Sequence, residues 1–224
     1  RADELPQIHQ VYAVLDRYVE AAELAEVARD YRSAIRYLMP LSGQDVSLRI
    51  LALAERLGDE TAITKAEEKV AEHFWQTNNY LNALEHFQKA GNLERVSDCH
   101  ERHGELGLAI ECRPSISPEW MQDIRWALEN IARSHIEHQE FLTAVHSLKS
   151  VEDAWRGASQ TDEAERIHRL LSEAVRTARS AFTAELQTRE EHAKTDLFKR
   201  WSLLEEAAGN YLEAGLQAEK AEDY

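Results

Sequence analysis

Residues 65–92 read KAEEKVAEHFWQTNNYLNALEHFQKAGN, and within them Ala66, Val70, Ala71 and Phe74, then Tyr80, Ala83, Phe87 and Ala90, recur at helical intervals. That period places each set on one face of a helix, and Thr77-Asn78-Asn79 between the two sets supply turn chemistry. A small residue at Ala71 lets a facing helix come close near Ala83, while Phe74, Tyr80 and Phe87 fill the space around the contact. The stretch predicts an antiparallel helical hairpin with Phe74 buried.

The same pattern recurs along the chain. Tyr18, Ala21 and Ala22 lead to Tyr31, Ala34, Leu38 and Leu41; Leu128, Ile131 and Ala132 lead to Phe141, Ala144, Leu148 and Val151. Phe198, Trp201 and Ser202 lead through Gly209-Asn210 to Tyr211, Ala214, Ala218 and Ala221, and a shortened copy runs from Leu93, Val96 and Ser97 to Leu106 and Ala109, with Arg113 where a large apolar residue would stand. This series resembles the tetratricopeptide repeat, and is similar to the looser helical repeats that follow β-propellers in vesicle-coat and ciliary-transport proteins. The positions Tyr31, Tyr80, Leu106, Phe141 and Tyr211 are 49, 26, 35 and 70 residues apart, whereas a regular array repeats about every 34. The resemblance therefore implies an all-α, irregular α-solenoid of antiparallel helical hairpins.

Ser42-Gly43 and Gly58-Asp59 punctuate a further hairpin over residues 42–66. A bend is expected at residues 113–118, where Ser117 can cap a helix that has Pro118 in its first turn. Residues 1–155 thus read as tetratricopeptide-like repeats. Residues 156–224 read as a long helix or a helical hairpin followed by a terminal repeat-like helix, packed as part of the same solenoid. Thr161 to Ala208 contain no Gly or Pro, and one unbroken helix there would be about 70 Å long. The alternative is a reversal near residues 187–196, where the apolar period lapses through QTREEHAKTD. With no turn residue to mark that reversal, the long helix is the preferred reading.

Composition narrows the function. With 41 acidic and 26 basic side chains the formal net charge is -15, which disfavours nucleic acid and anionic membranes as partners. No apolar run approaches the roughly 18 residues of a membrane-spanning helix, and Arg1 to Pro6 carry no signal-peptide core. Two cysteines, Cys99 and Cys112, and the absence of any Asn-x-Ser/Thr sequon fit a reducing interior such as the cytoplasm. The chain begins with Arg1, so a segment of a longer polypeptide is expected, and other domains of that polypeptide are possible partners.

No glycine-rich phosphate loop, nucleophile elbow or Cys-His nucleophile pattern is present, so the reading implies neither an enzyme nor a cofactor. Cys99, His100, His103 and Cys112 match no strong zinc spacing, and His135 and His138 lack an HExxH or HxxEH frame; both groupings read as packing or surface residues, and a metal-dependent helical enzyme built on them is the least favoured alternative. Paired acids such as Glu67-Glu68, Glu190-Glu191 and Glu205-Glu206 read as solvated faces. Binding of a protein or peptide is the function the resemblance implies, on the surface formed by the first helices of the repeats. There Trp75 is the expected aromatic anchor, with Lys69, Gln76, Glu101, Arg102, Arg133 and Glu137 in the same register. In the competing reading Trp75 packs against the next repeat. Trp120 and Trp126 read as core or inter-repeat contacts. The acidic balance favours a basic or amphipathic ligand, and the other alternative is an architectural module in which the Thr161 to Ala208 helix mediates self-association or connects domains.

Overall fold

The computed structural model describes residues 5–14 and 16–222, so the first four residues of the stretch Arg1 to Pro6 lie outside the described residues. Thirteen α-helices and no strand occur among the described residues. The chain divides into two compact units, Arg1–His103 and Gly104–Tyr224. The position 155/156, read from the sequence as a boundary, falls inside the second unit.

The first unit contains α1 (Leu5–Val14), α2 (Tyr18–Val27), α3 (Tyr31–Leu38), α4 (Gln44–Leu57), α5 (Glu60–Gln76), α6 (Tyr80–Ala90) and α7 (Leu93–His103). Consecutive helices pack on each other, and helices two apart also touch. Tyr37 of α3 bonds His9 of α1 at 2.8 Å, Arg49 of α4 donates to Glu26 of α2 at 2.7 Å, and Lys69 of α5 donates to the Met39 carbonyl after α3 at 2.8 Å. Arg95 and Asn92 reach back from the start of α7 to Glu72 and Glu68 of α5, with sequence separations of 23 and 24, so α5 and α7 run parallel.

The second unit contains α8 (Leu106–Cys112), α9 (Pro118–Glu137), α10 (Phe141–Gly157), α11 (Thr161–Thr188), α12 (Glu191–Ala207) and α13 (Tyr211–Glu222). Residues 113–117 between α8 and α9 are non-helical, and Ser117 caps α9 by accepting the Trp120 N–H at 3.2 Å. One core joins α8 to α12, built on Ile110, Ile124, Leu148, Trp155, Ile167, Phe182 and Leu204.

A single turn recurs through both units. Asp16, Arg29, Asn78, Gly91, Gln139, Ser159 and Gly209 take positive φ, and the next residue returns its N–H to the carbonyl five positions back at 2.7–3.0 Å. This is the Schellman closure of the preceding helix. That next residue immediately precedes the following helix and accepts its first backbone bond, so two residues suffice to reverse the chain. Four positions after it stand Ala21, Ala34, Ala83, Val96, Ala144, Ala164 and Ala214, all buried. Their small or compact side chains lie where adjoining helices converge just past the turn.

The preferred reading of one helix over residues 161–208 is incorrect. The helix stops at Thr188, and α12 begins at Glu191. Phe182 meets Trp201 with ring centroids 5.8 Å apart, and Arg179 meets Glu205, so α11 and α12 are antiparallel. Arg189 and Glu190 reverse the chain in extended conformations, at φ -88°, ψ 146° and φ -68°, ψ 155°. Any L-residue adopts these angles without strain, so the reversal needed no glycine or proline.

At Gly107, α8 lies directly against Ser150 of α10. A Cβ at this position would lie 2.0 Å from Ser150 Oγ and 3.1 Å from its carbonyl oxygen. The hydroxyl can rotate away but the carbonyl cannot, so Gly107→Ala is expected to lower stability by roughly 1–3 kcal/mol. In urea titrations, Ser150→Ala combined with it is expected to recover part of the loss; equal stability of Gly107→Ala and the native chain would contradict this packing.

Candidate functional site

In the first unit, α5 holds Lys69, Trp75 and Gln76, and α7 holds Glu101 and Arg102. Lys69 is committed to the Met39 carbonyl. Trp75 is half-buried, with Tyr80 edge-on at 5.2 Å and the Arg95 guanidinium 4.6 Å above its ring. Burial works against the charge on Arg95, but Glu72 and Asp98 outweigh it and hold the proton more tightly than usual. Trp75 is thus engaged by the neighbouring helices. Gln76 and Arg102 are exposed and Glu101 is half-buried. Phe74, expected to be buried, is half-buried, with one ring face stacked on His86, centroids 5.6 Å apart and 16° from parallel.

In the second unit, Arg133 and Glu137 are exposed on α9. Two ion pairs fix α9 beside α11: Arg125 donates twice to Glu163, at 2.8 and 2.6 Å, and Arg166 donates to Glu129 at 2.7 Å. The separations of 38 and 37 residues make the two helices parallel. Beyond this ladder α9 and α11 part over α10, leaving a groove of about 530 Å³. Ala132, Ile136, Leu148, Leu170 and Ala174 give it an apolar lining, and Glu129, Arg133, Glu137 and Glu173 give it a charged rim. Arg133 has no hydrogen-bond or ion-pair partner among the described residues. Such a lining accepts an apolar side chain, while the rim offers donors and acceptors to polar groups around it.

Leu170, Ala174 and Glu173 were not anticipated, because a long flanking helix would have left α11 outside the repeat pattern. The available signal was Ser159-Gln160-Thr161 with Ala164 following, which is the recurrent turn with Thr161 in place of a large apolar residue.

The histidine groupings have other partners. His135 Nδ1 lies 2.6 Å from Glu140, and His138 Nδ1 donates to the Ser134 carbonyl at 2.7 Å. Cys99 is buried, which pushes its thiol up to about 11, with the Asp98 charge adding to the effect. His100 is also buried, while His103 is exposed. No group of three or more potential metal ligands converges among the described residues.

Three further sequence expectations need correction. Trp126 is 71% exposed rather than packed. Glu67 is buried against His86, at 2.5 Å. Glu205 is fully buried, accepting from Arg179 at 2.6 and 2.7 Å and from Trp201 and Asn210, both at 2.9 Å. Both carboxylates tolerate burial because neighbouring helices supply polar partners. No helix among the described residues is long and apolar enough to cross a membrane. Neither a protein-family model nor a curated protein matches the chain.

Proposed function

We propose that this chain is a protein-interaction scaffold: an irregular, tetratricopeptide-like solenoid that holds a peptide segment of a partner in the α9–α11 groove. The groove carries this reading, since it joins an apolar lining to a charged rim that includes the uncommitted Arg133. Its walls are fixed by the Arg125–Glu163 and Arg166–Glu129 pairs. A rigid groove binds a segment without the cost of ordering its own walls. The absence of a nucleophile or phosphate-loop pattern fits a binding role, and the two free cysteines fit a reducing compartment such as the cytoplasm.

The test is affinity capture from source-cell lysate with the native chain and with Arg133→Ala, Glu137→Ala, two exposed changes that leave the core intact. The expected result is a specific protein captured by the native chain and lost from the variant. Identical capture by both would remove the groove from the function.

A second reading, self-association, is favoured by the surface of the last hairpin. Leu212 and Leu216, one turn apart on one face of α13, are 83% and 45% exposed, and adjoining exposed apolar groups commonly mark interfaces. Concentration-dependent sedimentation that disappears in Leu212→Glu would support it.

A further inference from the structure

The geometry points to a second ligand site, a cleft in the first unit between α3 and the start of α5 that takes an acidic peptide through an apolar anchor. The cleft has a volume of about 340 Å³, and its apolar lining comes from Ile35, Met39, Leu57 and Ala62. All four are half-buried. The charged groups beside them are Arg32, Arg36 and Lys65 against Asp59 alone. In a chain with 41 acidic and 26 basic side chains, three cations to one anion is a local inversion of charge.

The acid within the cleft is already engaged. Asp59 caps α5 by accepting the N–H groups of Thr61 and Ala62, at 3.0 and 3.2 Å, and faces Arg32 at 3.3 Å. Asp30, the other carboxylate that Arg36 influences, accepts the Ser33 N–H at 3.1 Å as the cap of α3. Arg36 makes a long 3.4 Å bond to Ser33 Oγ and lies over the Tyr37 ring, 5.4 Å from its centroid, but forms no ion pair among the described residues, and Lys65 has no hydrogen-bond or ion-pair partner among them. Two cations, one from each helix, therefore stand over an apolar surface without a carboxylate to satisfy them.

The width of the cleft is fixed from below. Lys69, one turn after Lys65, ties α5 to the Met39 carbonyl at 2.8 Å, so the lining does not depend on a ligand to assemble it. A peptide helix presenting an apolar side chain flanked by carboxylates matches this arrangement: the side chain enters the cleft and the carboxylates reach Arg36 and Lys65. The overall negative charge does not cancel the attraction, because at physiological salt charges beyond about 8 Å are largely screened. This cleft is separate from the α9–α11 groove, and its preference for an acidic ligand opposes the basic ligand expected from net charge.

The test is fluorescence anisotropy on the full chain with three labelled helical peptides. The first carries two leucines one turn apart among glutamates and alanines, the second has lysines in place of the glutamates, and the third has alanines in place of the leucines. The first is expected to bind about ten-fold more tightly than either of the others, and to weaken as salt is raised. Arg36→Glu, Lys65→Glu, two exposed changes, is expected to reverse the preference to the lysine peptide. Arg133→Ala, Glu137→Ala is expected to leave binding unchanged, which separates this site from the groove. The proposal is overturned if no peptide binds, if the peptides bind equally, or if the charge reversal changes nothing. It is also overturned if decanoate binds at the cleft and the glutamate peptide does not, because the site would then belong to a small amphiphile.

Discussion

Glu205→Ala is expected to destabilise the chain by about 3 kcal/mol, the lower end of the range for removing one partner of a buried ion pair. The carboxylate is fully buried and meets four donor groups from α11, α12 and the turn into α13. Its loss leaves Trp201 and Asn210 without their acceptor, whereas Arg179, with a side chain 43% exposed, recovers some hydration; hence the lower end. Burial pushes the Glu205 carboxyl up, but Arg179, Asn210 and Trp201 together outweigh it and hold it below the usual carboxylate range. A depressed folded-state value means that this stabilisation is present in full above the unfolded value, about 4.3, and is lost as pH falls from there through the folded value. Urea titrations across that interval are expected to show a shallower acid limb for Glu205→Gln than for the native chain.

Trp155→Ala is expected to cost about 3–5 kcal/mol, the range for deleting a large buried aromatic side chain. Trp155 is 1% exposed in the last turn of α10 and meets the Trp120 ring edge-on, with centroids 6.4 Å apart. The Arg113 guanidinium lies 4.7 Å from the centroid of Trp120 on α9, so the cavity would open beneath a stacked group that cannot fill it. Trp155→Phe is expected to retain much of the stability. The check is the urea midpoint at unchanged m-value; a loss below about 1 kcal/mol would show that the site collapses around the smaller residue.

The hairpins were legible because their signal is local. Tyr31 with Ala34, Tyr80 with Ala83, and Phe141 with Ala144 lie just beyond the two-residue turns Arg29-Asp30, Asn78-Asn79 and Gln139-Glu140, polar pairs that interrupt the apolar period. The reversal at Arg189-Glu190 is hidden because extended backbone leaves no residue signature, and the lapse of the apolar period through QTREEHAKTD is its one trace in the sequence. Glu205 resembled a surface carboxylate because its donors Arg179 and Asn210 come from two other elements, and no periodicity links them. Trp126 shows the converse: an aromatic residue suggests a core position, yet its place on α9 turns it outward. For the groove, Arg133 and Glu137 followed from the repeat register, whereas Leu170 and Glu173 depended on α11 running parallel to α9, a pairing set by the Arg125–Glu163 and Arg166–Glu129 ladder.

The account rests on the α9–α11 groove holding a partner segment, and site-specific photo-crosslinking tests this most directly. A photoreactive phenylalanine analogue would replace Glu173 on the groove rim and, separately, Asp153 on the exposed part of α10, in chains expressed in the source cells and keeping Arg133 and Glu137. The expected result is a discrete crosslink to another protein from position 173, absent from position 153, with the linked peptide carrying an apolar side chain next to the crosslinked residue. Crosslinks of equal yield from both positions, or none from position 173, would contradict it.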